Sequence, residues 1–546
     1  MVQTLRILYS TRVNTAISDI FKPFIEGSPL SVMMRGLVER LLNPEQMDQW
    51  FEQLAQEQYT RELLFSTVVS LMLEVVCGSR KAVNAAYQAM KEAIPVSIQA
   101  VYDKLQGIEP AVAAELVRYT AREGQAIMVA IEAAAPPMPA GAPVAVLAGG
   151  ATAPLSGVAS QTESAASLAL RSPGLAQAVQ AALAAPAGGL PAIPSAEAGR
   201  AGAAMKAGVK EGRPAVLPGY TVRILDGNHL AATEHRLKEL RTYGGGALPG
   251  QVLVVYDPDL DLAIKVVPGE NGHTQERALL CRLEESVAAG EVWVMDRNFC
   301  VLHWLHQIAA QSAYFVVREH EQTPFKPLAP MEEKGATETG LVAEQPIQVI
   351  GPDGQPVVWR RIRVLLHKPT RDGDDRVYIW THWPASVTAQ AVARLYLKRW
   401  RIETALQHLA QDLHTEIKTL GYPRAALFGF CIGVVAYHIL AVLKAALRQV
   451  HGATVIDTHL SGYYVADEVS GTYRGMMIAI PPPEWQVFRH LTVPELADVL
   501  IDLADKVPLA RFCKHPRGPK KPRPPRSFDP QHPHQATAKL LAARRA

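Results

Sequence analysis

The 546-residue sequence predicts an α/β protein with a helical N-terminal region. Three observations carry this. From Tyr220 onward, short β-branched runs are interleaved with helix-like segments, the pattern of a mixed α/β core. Residues 28–134 show only the 3.6-residue apolar period of helices. Residues 319–384 turn all-β, with a Pro-Asp-Gly turn between two runs. A composition of 48% hydrophobic and 20% charged residues is that of a globular chain, long enough for roughly two to four domains. A formal charge of +3 spread over the whole length implies that any nucleic-acid footprint is local. The five cysteines are scattered without a CxxC pair, which argues against a zinc site or a disulfide framework and for a reducing cytosol.

Taken in order, PEQMDQWFEQLAQEQ and RELLFSTVVSLMLEVVCG read as helices, with Gly78 as a stop. SRKAVNAAYQAMKEA and SIQAVYDKLQG, joined through Ile94-Pro95-Val96 and capped by Ser97, suit either a helix-turn-helix or an ordinary helical hairpin. The first alternative brings Gln99, Tyr102 and Lys104 to DNA. Residues 135–218 are rich in Ala, Gly and Pro and bury too little apolar surface to offset their ordering entropy, so a flexible linker is expected, with one short helix, GLAQAVQAALAA. YTVRIL, QVLVVYDP, LAIKVVPG and EVWVMDRN read as strands; HLAATEHRLKELR and HTQERALLCRLEESV read as the helices between them. VLHWLHQIAAQ and AYFVVREH continue the core as helix and strand. Trp359, Trp380 and Trp383 fall in the all-β stretch, as core residues or as a platform for an unpaired base. AALFGFCIGVVAYHILAVL, residues 425–443, has the length of a bilayer span but contains His438 and lacks a partner span, so a buried helix is expected. The tail after Leu509 has ten Lys or Arg against one acid, Asp529, and its prolines favour an extended, phosphate-binding or merely solubilising end.

LYLKRWRIETALQHLAQDL, residues 395–413, reads as one helix without Gly or Pro. Leu395, Ile402, Leu406, Leu409 and Leu413 form an apolar stripe, and Tyr396, Arg399 and Glu403 cluster roughly 90° away. That face is either a solvated surface with an Arg–Glu pair or part of a site shared with Asp226 of ILDGNH and Asp296 of VWVMDRNF.

The Tyr396-x-x-Arg399-x-x-x-Glu403 spacing, with those two aspartates upstream in order, resembles the Tyr–Arg–Glu signature of DDE transposases of bacterial insertion sequences, of the insertion-sequence-four type. The resemblance covers Tyr220 to about Leu443. One departure is Ala410, where the family usually has Lys. The resemblance implies a ribonuclease-H-like catalytic core interrupted by an all-β insertion, with an N-terminal helical DNA-binding domain. The implied divisions are 1–134 helical, 135–218 linker, 219–318 and 385–450 the two parts of the core, 319–384 the insertion, 451–509 a helical dimerisation region, and 510–546 a basic tail. In such a core the first and fourth strands are neighbours, so Asp226 and Asp296 adjoin at one end of the sheet.

Three carboxylates form a hard-oxygen set suited to two Mg²⁺ or Mn²⁺ ions, which can activate an attacking oxygen and stabilise a leaving one. Asp226, Asp296 and Glu403 are the expected catalytic and metal-binding residues. Tyr396 and Arg399, with Arg297 and Lys398 as further candidates, would bind DNA phosphates. The resemblance implies cut-and-paste transposition: cleavage at terminal inverted repeats, then 3′-OH strand transfer into target DNA. A homodimer on DNA, without membrane association, in the bacterial cytoplasm and nucleoid, is expected. The competing readings are a non-catalytic, domesticated DNA-binding protein or repressor, and a structure-specific nuclease. Asp257, Asp259 and Asp261 lack the Gly and distal Glu of a calcium loop and are expected to form a turn.

Overall fold

The computed structural model describes residues 17–58, 62–134, 215–234, 237–242, 244–370, 373–413, 415, 417–515, 531 and 533–545. The expected linker up to residue 214, its short helix, the first sixteen residues and the proline-rich part of the tail at 516–530 lie outside the described residues. The described residues all fall within one compact unit.

The N-terminal region is helical as its periodicity predicts: α1 (Pro29–Leu41), α2 (Pro44–Leu54), α3 (Phe65–Val76), α4 (Val83–Ala89), α5 (Ile98–Gly107) and α6 (Pro110–Ala133). Two of the starts have a side-chain cap. Asn43 accepts from the Glu45 and Gln46 amides before α2, and Ser97 Oγ accepts from Ala100 N before α5, relieving otherwise orphaned N–H groups. Just past α3 the chain turns at Gly78, whose φ of 75° is open to glycine at little cost.

The central sheet has ten strands among the described residues. Strands β1 (Thr221–His229), β2 (Gln251–Asp257), β3 (Leu262–Gly269), β4 (Glu291–Met295), β5 (Tyr314–Arg318), β6 (Glu332–Ala336), β7 (Gly340–Ile350), β8 (Pro356–Leu366) and β9 (Arg376–Thr381) lie in the order β3-β2-β1-β4-β5-β9-β8-β7. Lys326–Pro327 and β6 both pair with β7. β1 runs antiparallel to β2 and parallel to β4, which is parallel to β5. β9 then adds antiparallel to β5, so the β-rich stretch 319–384 continues the same sheet instead of forming a separate layer.

The longer remaining helices are α7 (Leu302–Ala310), α8 (Ala389–Leu397), α9 (Trp400–Asp412), α10 (Pro423–His451), α11 (Gly462–Ala479), α12 (Val493–Asp505) and α13 (Thr537–Arg545). Two faces of the sheet bury different cores. Val222, Ile224, Val254 and Val294 belong to the cluster shared with α6, α9 and α10. Leu225, Leu253, Met295 and Phe315 belong to a second cluster with Trp304 of α7 and with Trp359 and Trp380. Trp383 is buried in the first cluster, so all three tryptophans of the β-rich stretch are core residues. The 29-residue α10 is buried along its apolar length, against α3, α5, α6 and β3. His438 within it meets Thr120 Oγ1 of α6 at 2.9 Å and the Ala263 carbonyl of β3 at 3.0 Å. Burial pushes its pKa down to about 3, so it is a neutral cross-link between layers.

Four expectations are corrected. HLAATEHRLKELR forms no α-helix among its described residues: Thr233 bridges to Ala247, and only a 3₁₀ turn, Lys238–Leu240, follows. HTQERALLCRLEESV becomes a 3₁₀ segment, Glu276–Ser286, pressed onto the sheet by Leu279, Leu280 and Leu283. The helix expected over 395–413 is two, because the Lys398 and Arg399 amides bond to carbonyls three residues back and tighten the chain between α8 and α9. The end of the tail is ordered by pairing: Gln535–Ala536 adds a parallel strand to Ala247–Leu248, and α13 follows.

Asp259 and Asp261 do lie in the turn between β2 and β3, and Asp257, the last residue of β2, accepts from the Asp259 and Leu260 amides within it. Asp261, at φ 61°, is buried. Tyr256 and Tyr437 both donate to its Oδ1, while Arg448 lies 3.4 Å and Lys444 3.8 Å from Oδ2. Burial works against ionisation, but the two cations and two hydroxyls hold the carboxyl well below the usual range. A depressed carboxyl pKa contributes stability that is present above its unfolded value, about 4, and is lost as pH falls below it. Asp261→Ala, which takes a partner from the half-buried Lys444 and Arg448, although Arg448 keeps Asp457, and the acceptor from two buried tyrosine hydroxyls, is expected to cost about 3 kcal/mol in urea denaturation at pH 7. The gap to wild type should narrow as pH is lowered below about 4.

Candidate active site

The register of β1 against β4 pairs Leu225 with Met295, so the next residues, Asp226 and Asp296, emerge side by side where β4 ends. β1 itself continues to His229 through its pairing with β2, so Asp226 is inside a strand and not at its end. Asp226 lies opposite Val254, and thus on the face that α9 covers. Asp296 Oδ1 accepts from Asn298 N at 2.8 Å and caps the 3₁₀ turn Arg297–Phe299, which fixes the side chain by a local bond.

α8 packs over β4 and β5 and α9 over β1, which brings Tyr396, Arg399 and Glu403 to the two aspartates. Ile402, Leu409 and Leu413 are the buried stripe that holds α9 down. Arg399 is the centre of the group. Its Nη2 donates to Glu403 Oε1 at 2.6 Å, and its Nη1 lies 3.4 Å from Asp226 Oδ2. Its Nε is buried without a hydrogen-bond partner. Burial disfavours the charged guanidinium, but Tyr396, Asp226 and Glu403 hold its pKa above the usual value.

Asp226 carries the largest shift here. Burial raises it first; Arg399 opposes this, and the nearby Asp296 and Glu403 raise it further, leaving it at about 7. Both other acids are therefore close enough to act on it. Tyr396 is nearly buried, and burial raises its phenol while Arg399 and Arg318 pull against that.

Among the described residues, no group of three or more His, Cys, Asp and Glu is drawn together tightly enough to hold a metal ion. The guanidinium of Arg399 lies between two of the three acids. The donor set still fits a hard cation: all oxygens, with a carboxyl held near 7 by burial and like charge, the imbalance that a divalent ion relieves.

The other expected residues are spread out. Arg297, beside Asp296, and Lys398, between α8 and α9, are exposed. Gln99, Tyr102 and Lys104 lie on α5, which packs on α10. Gln99 is exposed and donates to Asp103, Tyr102 is half-buried against the core, and the Lys104 ammonium lies 4.4 Å from the Phe51 ring centroid. The structure therefore turns two of the three inward, and it does not bring them to the acids. Ala410 lies in the last turn of α9.

The sequence reading missed Arg318, whose charge reaches Tyr396 and which pairs with Asp374 at 2.5 Å. It also missed Glu276 and Asn298, hydrogen-bonded to each other at 2.5 Å beside the aspartates. One signal was present: Gly227, a glycine inside a strand, marks close approach by another group.

Residues 217–437 match the family described as Transposase DDE domain, and this match supports a DDE transposase. No curated protein matches the chain.

A carboxyl with a raised folded pKa contributes stability that is fully present below its unfolded value and lost as pH rises through the folded one. In EDTA, Asp226→Asn is expected to melt higher than wild type. The gap should open from about pH 4 and level off above about pH 7, as read by thermal unfolding across that range.

Proposed function

We propose that the chain is the cut-and-paste transposase of an insertion sequence, built on a ribonuclease-H-like core and of the Tyr–Arg–Glu type. The observation that carries this reading is the gathering of Asp226 and Glu403 around one guanidinium, with Asp296 adjoining Asp226 in register. A strand order of β3-β2-β1-β4-β5 also supports it.

Asp226, Asp296 and Glu403 would hold the divalent ions, Mg²⁺ or Mn²⁺, that when bound activate an attacking oxygen and stabilise the leaving one in an in-line displacement. The chain's own residues do the rest. Arg399, with a buried Nε lacking an acceptor, offers a planar fork to a DNA phosphate at the element's end. Tyr396 supplies a hydroxyl beside it, and Arg297 and Lys398 extend the positive surface. Partial burial of Asp226 and burial of Tyr396 limit water at the reacting phosphate. Hydrolysis at each terminal inverted repeat breaks a P–O bond and frees a 3′-OH. That hydroxyl then forms a new phosphodiester bond with target DNA as the target's own bond breaks, either directly or after a hairpin. Two ends must meet, so a homodimer on DNA is proposed.

Purified protein with end-bearing DNA and Mg²⁺ or Mn²⁺ tests this. Nicking at the ends and joining to target DNA are expected, and both should be abolished by EDTA. Glu403→Gln should lower nicking by at least about 100-fold while still shifting end DNA in a gel. Full-rate nicking by Glu403→Gln would overturn its assignment. Cleaved ends that never join would favour a nuclease, and binding without cleavage by wild type a non-catalytic protein.

A further inference from the structure

Behind the acids, on the opposite face of the sheet, a fourth carboxylate ties their two backbones together. Gly227 follows Asp226 and lies opposite Leu253, so it faces the second core and not α9. A Cβ built on Gly227 would fall on the carboxylate of Glu276. That carboxylate thus lies against the main chain directly after Asp226. Its Oε2 accepts from Asn298 Nδ2 at 2.5 Å, and Asn298 in turn donates its amide to Asp296 Oδ1 at 2.8 Å. The other oxygen lies 3.6 Å from Nδ1 of His229, further along β1. Glu276 opens the 3₁₀ segment that Leu279, Leu280 and Leu283 press onto the sheet, and its side chain is 16% exposed. The parallel ladder between β1 and β4 has ended at Leu225 and Met295, so Glu276 and Asn298 brace the two chains where the ladder no longer does.

We infer that Glu276 is a positioning residue: it acts through Gly227 and Asn298 to set the separation of the Asp226 and Asp296 carboxylates for a shared divalent cation. It shares no face with Glu403 and does not itself reach the cation. The glycine at 227 is what lets the brace close. The inference rests on the proposed role of the acids as cation ligands, and groups behind a first ring of ligands typically change metal affinity by about 10–100-fold when removed.

The test is Mn²⁺ binding to the full chain without DNA, read from the free-ion EPR signal, with Asp226→Asn, Glu276→Ala, Asn298→Ala and the double variant Glu276→Ala/Asn298→Ala. Gel shifts of end DNA in EDTA and thermal melts report folding. Asp226→Asn should abolish tight binding. Glu276→Ala and Asn298→Ala should each weaken it about 10-fold or more, and the double variant should be no worse than the poorer single one, since both break one brace. If Asp226→Asn binds Mn²⁺ as wild type does, the cation reading fails and this inference with it. If Asp226→Asn loses binding while folded Glu276→Ala and Asn298→Ala keep wild-type affinity, the cation reading stands and the brace is overturned. Losses that add in the double variant overturn it too. Should Glu276→Ala melt before binding can be read, Glu276→Gln, which keeps an acceptor for Asn298, should retain Mn²⁺ affinity within about threefold, and a larger loss would overturn the brace.

Discussion

Everything at the candidate site depends on how β1 is shared between two partners. Its antiparallel ladder with β2 runs through to His229, while its parallel ladder with β4 stops at Leu225 and Met295. The mismatch leaves Asp226 rigidly held within a strand, with Asp296 released from one and fixed instead by its own turn. A strand pairing sets side-chain direction absolutely, because a shift of one residue would turn Asp226 away from α9. The apolar alternation of Val222 and Ile224 on one face and Leu225 on the other prevents that shift, since either residue set would be forced into the wrong core.

Charge then determines the state of the site. Three acids at close quarters repel one another, and burial sharpens the repulsion. Arg399 relieves it incompletely, as the position of Asp226 near 7 records. The 3₁₀ tightening between α8 and α9 is part of this arrangement. It separates Tyr396, anchored in the α8 packing, from Glu403 in α9, and leaves Arg399 at the joint, where it reaches both carboxylates.

Much of the site was legible before the fold was known. Asp226 and Asp296 stood out because each ends a strand-like run, and the helical wheel put Tyr396, Arg399 and Glu403 on one face. The long apolar helix was also readable, since His438 has a place in a packed core and none in a lipid span. What escaped was whatever depends on tertiary contact. Glu276 sits in a segment whose apolar spacing suggested an α-helix, and only its seat on the sheet reveals the 3₁₀ form. Lys104 and Tyr102 read as exposed because their helix is short and polar, but α5 lies on α10 and both turn toward the protein. The strands of 319–384 were visible one by one; that they extend the core sheet through β9 and β5 was not, because pairing between distant strands leaves no local mark.

α10 also decides where this protein can be divided. The matched segment ends at 437, inside that helix, one residue before His438 and its bonds to α6 and β3. α6 lies outside the segment altogether, more than eighty residues upstream, yet covers both α10 and β3. A fragment trimmed to 217–437 would expose the apolar flank of β3, truncate the helix that roofs the sheet, and separate Asp261 from Lys444 and Arg448. The span defined by family likeness therefore leaves out helices that cover its own apolar surface, α6 on β3 above all.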